Sequence, residues 1–249
     1  MTIFNSVHTA YAATCIKILL QPEHISAPRG QKILERLDYS FGIDNPAAEA
    51  IRTNDEDRNK VIAAYFEKEK ELYNSCTNKV MDFEKASKFW SKLQNPDGTV
   101  NSAYGHLLWY KKSQGNKQFG KEFMTPWEWA KVSLIQDKDS RQAVAHFSLP
   151  EHHWVGNKDQ VCTLHATFTI RDNKLHLSVV MRSNDVVKGL AYDLPWFVSL
   201  MDRMLADLQP TYPELTKGTY RHLAHSMHIY ERDIETVRRM LGQVSSQAA

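Results

Sequence analysis

Three side chains in the second half of the chain are of reactive types: the Cys162 thiol, the Arg182 guanidinium and the Asp193 carboxyl. Two apolar-alternating runs, Cys162–Ile170 and Leu175–Arg182, flank the turn-forming Arg171-Asp172-Asn173-Lys174, a pattern that predicts an antiparallel hairpin. Counting outward from a turn centred on Asp172–Asn173 sets Cys162 opposite residue 182 or 183. A fixed positive charge beside a thiol favours the thiolate, the form that attacks carbon. An arginine ending an apolar strand also calls for an anionic partner, and a phosphate suits its planar fork, with the Ser183 hydroxyl beside it. Cysteine in a half-buried strand is often only a small apolar side chain, and aspartate commonly opens a helix. The nearby arginine tips the reading of Cys162 towards chemistry.

The run Arg182-Ser183-Asn184-Asp185-Val186-Val187, with Gly189 and Asp193 after it, Cys162 ahead of it and His228-Ile229-Tyr230 further on, resembles the thymidylate synthase family. The likeness is dense from Trp90 to Tyr230. Three positions are similar to the deoxycytidylate hydroxymethylase branch from T-even type phages: Asp193 where synthases have asparagine, Thr163 where they have histidine, and Met181 where they have glutamine. The resemblance implies an α/β (α+β) fold, a large mixed sheet flanked by helices and packed back to back with its twin in a homodimer. It implies transfer of a hydroxymethyl group, from 5,10-methylenetetrahydrofolate plus water, to C5 of dCMP. A dUMP or CMP hydroxymethylase and a thymidylate synthase stay as alternatives. So does a non-catalytic nucleotide-binding relative within a nucleotide-precursor enzyme complex.

Residue by residue, the resemblance makes Cys162 the nucleophile, Glu69 the proton relay and Tyr104 a neighbour of the nucleophile. Glu67 and Glu71, in the same charged run, are rivals of Glu69. Arg29, Arg182 and Ser183 would hold the phosphate, joined by Arg141 reaching across the dimer, where Gln142 replaces a second arginine. His228 and Tyr230 would take the sugar 3'-hydroxyl, Asp185 would serve nucleotide and folate, and Trp90 and Gly189 would wall the folate. Asp193 would face the base. Uracil offers an acceptor at O4 and a donor at N3, which an amide can pair; cytosine offers an amino group, which a carboxylate accepts, together with N3 once that is protonated. An ionised Asp193 facing uracil leaves polar groups mismatched, at a cost of roughly 1–3 kcal/mol.

The elements that must position these residues are legible in part. With 249 residues and 42% hydrophobic composition, the chain has room for one sizeable core, and a single catalytic domain over 1–249 is expected, with 243–249 a frayed tail. A net charge of +2 gives no basic field for nucleic acid. Cys15, Cys76 and Cys162 stand far apart, which argues against disulfides and fits a reducing compartment. No signal peptide or spanning run is read, so a soluble cytoplasmic protein is expected, in the host cytoplasm if phage-encoded. Predicted elements are a first helix within residues 1–20, strands over Ile33–Ile43 and Ala143–Leu149, and helices over Asp55–Asn74, Phe83–Leu93, Pro126–Ile135, Pro195–Leu208 and Glu231–Leu241. If His222, His225 and His228 lay on a helix they would share a face and invite a metal. No acid or cysteine completes such a set, and no metal is expected.

Overall fold

The computed structural model describes residues 1–114 and 123–243. In chain order it runs β1 (Thr2–Phe4), α1 (Val7–Leu20), β2 (His24–Ser26), β3 (Ile33–Asp44), α2 (Glu56–Asn74), α3 (Val80–Phe83), α4 (Tyr104–Trp109), β4 (Ser113–Gln114), β5 (Phe123–Met124) and α5 (Pro126–Gln136). Then come β6 (Val144–His146), β7 (Thr163–Arg171), β8 (Lys174–Met181), β9 (Asn184–Asp185), a π-helical turn over Val186–Leu190, α6 (Ala191–Leu208), β10 (Thr216–Tyr230) and α7 (Ile234–Met240). Apart from a small β4–β5 ribbon, the strands form one mixed sheet in the order β1-β3-β10-β8-β7-β6, with β2 on β3 and β9 on β10. The fold is thus α/β with a large mixed sheet beside helices. Residues 244–249, most of the expected tail, lie outside the described residues.

Alternation builds the sheet's two unequal faces. Phe168, Ile170, Leu175, Leu177, Val179, Met181, Tyr220, His222 and Ala224 are buried, and α1, α5 and α6 pack against the strands that carry them. The other face, with Thr167, Ser178, Val180, Arg221, Leu223 and His225, is only partly covered or open. The predicted hairpin forms with Asp172 and Asn173 in left-handed backbone at its turn (φ 50° and 56°). Helix α2 is capped by Asp55, which accepts the Arg58 N–H at 2.9 Å.

Several expected elements take a different form. The span Phe83–Leu93 is not one helix but the end of α3 followed by a 3₁₀ segment, Lys88–Leu93. The first twenty residues add a short parallel edge strand before α1, and the strand expected over Ala143–Leu149 shrinks to β6. Helix α6 starts ahead of Pro195, entered through the π-helical turn. The histidine-bearing segment is a strand, so residues three apart fall on opposite faces. His222 is buried against the Tyr220 hydroxyl (2.8 Å), whereas His225 is exposed and pairs with Asp38. The three histidines therefore converge on no metal, and no metal-competent cluster occurs among the described residues.

Candidate active site

The hairpin and the segment after it bring the reactive residues together. Cys162 precedes β7 and Arg182 follows β8; the Arg182 N–H donates to the Cys162 carbonyl at 2.8 Å, and its guanidinium lies 3.5 Å from Cys162 Sγ. That guanidinium also donates to the backbone carbonyls of Val161 (3.0 Å) and Gln160, which hold it in place. Arg182 lines a cavity of about 580 Å³ together with Arg29, Ser183, His228 and Tyr230. Arg29 reaches it from a turn in which its own φ is 53°, a left-handed conformation uncommon outside glycine. The cavity thus gathers two guanidiniums, hydroxyls and an imidazole, a set suited to a phosphorylated sugar. Arg141 is exposed and is not among the cavity's lining residues.

A second network surrounds the carboxyls. Glu69 projects from α2 with 7% exposure, and its Oε1 accepts from Tyr65 (3.1 Å) and Tyr73 (3.2 Å). Trp90 Nε1 in turn donates to Tyr65 at 3.0 Å. Of the three rival glutamates this is the buried one, while Glu67 and Glu71 are exposed. Burial, and then the Asp193 carboxyl, push Glu69 up to about 8. Asp193, in the first turn of α6, accepts from Asn184 Nδ2 at 2.8 Å. Burial pushes it up to about 7 against the opposing pull of that bond. Asp193 is near enough to Tyr104, and through charge to Cys162, to raise both. Thr163 donates to the Tyr104 hydroxyl at 2.9 Å.

Two sequence expectations change here. Arg182 does stand by the thiol, but burial outweighs it and raises Cys162 above the ordinary thiol range, with Asp193 and Asp159 adding to the rise. Asp193 is not a simple carboxylate at neutral pH, because its surroundings favour the proton. Asp185 caps the π-helical turn by accepting the Val187 N–H (2.8 Å) and is raised by burial, in part offset by His228. At Gly189 a Cβ would stand 3.3 Å from Asp193 Oδ2 and 3.4 Å from Asn184 Nδ2, so the backbone there lies closely against that pair. The residue types of Asn184, Tyr65 and Tyr73 alone do not mark them as part of a site. Asn184 lay in plain view inside the Arg182-to-Val187 run, yet only contact with Asp193 reveals its part.

A family model described as thymidylate synthase matches residues 70–249. The chain is 28% identical over 221 residues to the deoxycytidylate 5-hydroxymethyltransferase of Enterobacteria phage T6, covering 86% of this chain and 82% of that protein. It is 26% identical over 242 residues to the deoxyuridylate hydroxymethyltransferase of Bacillus phage SP01, covering 93% of this chain and 59% of the other. The thermostable thymidylate synthase A from Bacillus subtilis shares the fold, with a TM-score of 0.70 at 18% identity over 95% of this chain and 84% of that one. No helix among the described residues is long and apolar enough to cross a membrane.

Proposed function

Because this chain belongs to the thymidylate synthase family and is a one-carbon transferase acting on a pyrimidine nucleotide, we propose that it hydroxymethylates C5 of dCMP. The observation that carries the choice of base is Asp193, clamped by Asn184 and within reach of Cys162 through charge, at the place where the resemblance puts asparagine in synthases. The phosphate sits on Arg29, Arg182 and Ser183, and the sugar on His228 and Tyr230. The family's methylenetetrahydrofolate would be held by Trp90, Asp185 and Gly189, the last of which lies closely against Asp193 and Asn184. When bound, it supplies the one-carbon unit.

The side chains divide the work as follows. Cys162 sulfur forms a bond to C6 of the pyrimidine and its proton is lost. The electron pair displaced from the 5,6 double bond moves towards N3, where Asp193 delivers its proton. The carboxylate left behind accepts from N3–H and from the 4-amino group, and C5 becomes the nucleophilic carbon. Glu69, a protonated acid below about pH 8, exchanges protons at C5 through water, with Tyr65 and Tyr73 holding it. Once the one-carbon unit is on C5 and the C5 proton has left through that water, water rather than hydride adds to complete the hydroxymethyl group. N3 then returns its proton to Asp193, the electron pair re-forms the 5,6 double bond, and the Cys162 sulfur is expelled from C6. We assign the same fold a homodimer in which Arg141 serves the neighbouring site.

Release of tritium from C5-labelled dCMP and dUMP, with methylenetetrahydrofolate present, tests this. The expected result is release from dCMP in preference to dUMP, with no absorbance rise from dihydrofolate. Preferred release from dUMP overturns the assignment of Asp193, and dihydrofolate formation overturns the hydroxymethylase. Cys162→Ser is expected to abolish release; unchanged release would remove covalent catalysis and favour a non-catalytic or differently acting relative.

A further inference from the structure

The cavity contains a carboxylate without a part in the scheme above: Glu35. It stands directly opposite His228 in the β3–β10 register, so the two side chains share a face, and both line the cavity. Glu35 Oε2 accepts from Ser26 Oγ at 3.1 Å, and Oε1 accepts from Ser226 Oγ. A serine hydroxyl has one hydrogen. With that hydrogen given to Glu35, Ser226 Oγ has only lone pairs to show His228 Nδ1, 3.5 Å away. The Ser226 carbonyl oxygen, which can only accept, lies 3.3 Å from the same nitrogen. Both contacts are long, but they agree in direction: the ring hydrogen belongs on Nδ1. Asp185, next to His228 across β9, already has one oxygen on the Val187 N–H.

We propose that Glu35, acting through Ser226, is a positioning residue that fixes the Nδ1–H tautomer of His228. Nε2 is then a bare acceptor, and the sugar hydroxyl donates to it while accepting from Tyr230. The 3' position of the substrate is accordingly read as a donor, not merely as a polar atom. This rests on the reading of the cavity as the nucleotide site.

Two measurements on the full chain test the proposal. In protein labelled with ¹⁵N-histidine, without nucleotide and at neutral pH, the His228 ring shifts are expected to report Nδ1–H. Glu35→Gln keeps an acceptor for Ser226 and retains that tautomer, whereas Glu35→Ala and Ser226→Ala, which leave only the Ser226 carbonyl to favour Nδ1–H, shift the ring population towards Nε2–H. By calorimetry, the 3'-deoxy-3'-fluoro analogue of dCMP, which cannot donate, binds the native protein roughly tenfold or more weakly than dCMP. In Glu35→Ala that discrimination shrinks. An Nε2–H tautomer in the native protein, or discrimination unchanged by Glu35→Ala, overturns the proposal. Repeating the pair with dUMP and its fluoro analogue separates this outcome from an error in the base, since the tautomer is read with no nucleotide present.

Discussion

Burial holds a proton on Asp193 up to about pH 7, and in the proposed reaction on dCMP that proton would serve N3 when sulfur adds at C6. The free enzyme is therefore expected to lose kcat/KM for dCMP as pH rises through about 7, a limb absent from Asp193→Asn. The same substitution exchanges an acid that can give its proton to N3 and then accept from the amine for an amide that has no such proton but donates to O4 at every pH. Its kcat/KM with dCMP should fall by a factor of roughly 10–100, while the dUMP to dCMP ratio rises. Tritium release with both nucleotides measures it. Glu69 obeys a related sign rule: its folded pKa, about 8, lies above its ordinary 4.5, so folding binds the proton more tightly. Its contribution to stability is whole below pH about 4.5 and is lost as pH climbs through about 8. Glu69→Gln, neutral throughout, should gain in Tm relative to the native protein over that window. A Tm difference independent of pH would contradict the buried acid.

Helices α2 and α4 meet where they carry Glu69 and Tyr104, and a glycine makes the meeting possible. A Cβ on Gly105 would lie 1.8 Å from the Tyr73 carbonyl oxygen, a backbone atom that cannot swing aside. Tyr73 also holds Glu69 and stacks on Tyr104 with ring centroids 5.5 Å apart. Gly105→Ala should accordingly destabilise by about 3 kcal/mol, at the upper end for overpacking, and lower activity by displacing Glu69; the urea midpoint and turnover report the two effects. What could be read locally is visible at this scale. The β7–β8 hairpin, β3, α2 and α5 announce themselves through turn residues, alternation and capping. By contrast, β10 hides its period because histidine occupies a core position: His222 lies buried between Tyr220 and Phe41, and burial takes its pKa down to about 3. Helix α6 hides its start because Pro195 usually opens a helix, whereas here a π-helical turn precedes it. The candidate site could be assembled from sequence wherever a motif named the residue. Glu69 needed burial to separate it from its neighbours, and the partners Asn184, Ser226 and Glu35 come from strands or turns that only the folded sheet brings together.

At the scale of the molecule, one sheet face is finished and the other is not. Val180 and Leu223, with Thr167, Ser178 and Arg221, line a face only partly covered within one chain, and apolar groups on an open sheet favour a partner. Arg141 is exposed and stands apart from the cavity of its own chain, although that cavity otherwise holds the expected phosphate ligands. A symmetric dimer through the open face would account for both facts, because a residue useless at home would complete the site next door. The arrangement has a consequence that no monomer shares. Cys162→Ser and Arg141→Ala chains should each form poorly active homodimers, yet after mixing and subunit exchange a mixed dimer contains one site with both native residues. Activity should then recover to about a quarter of the native value, the expected share of such sites after random pairing of equal amounts. Leu223→Asp, which places a charge on the open face, should shift the protein towards monomer in sedimentation and prevent that recovery. Mixing that restores nothing, with exchange verified by mass, would return Arg141 to the solvent and leave the phosphate to Arg29 and Arg182 alone.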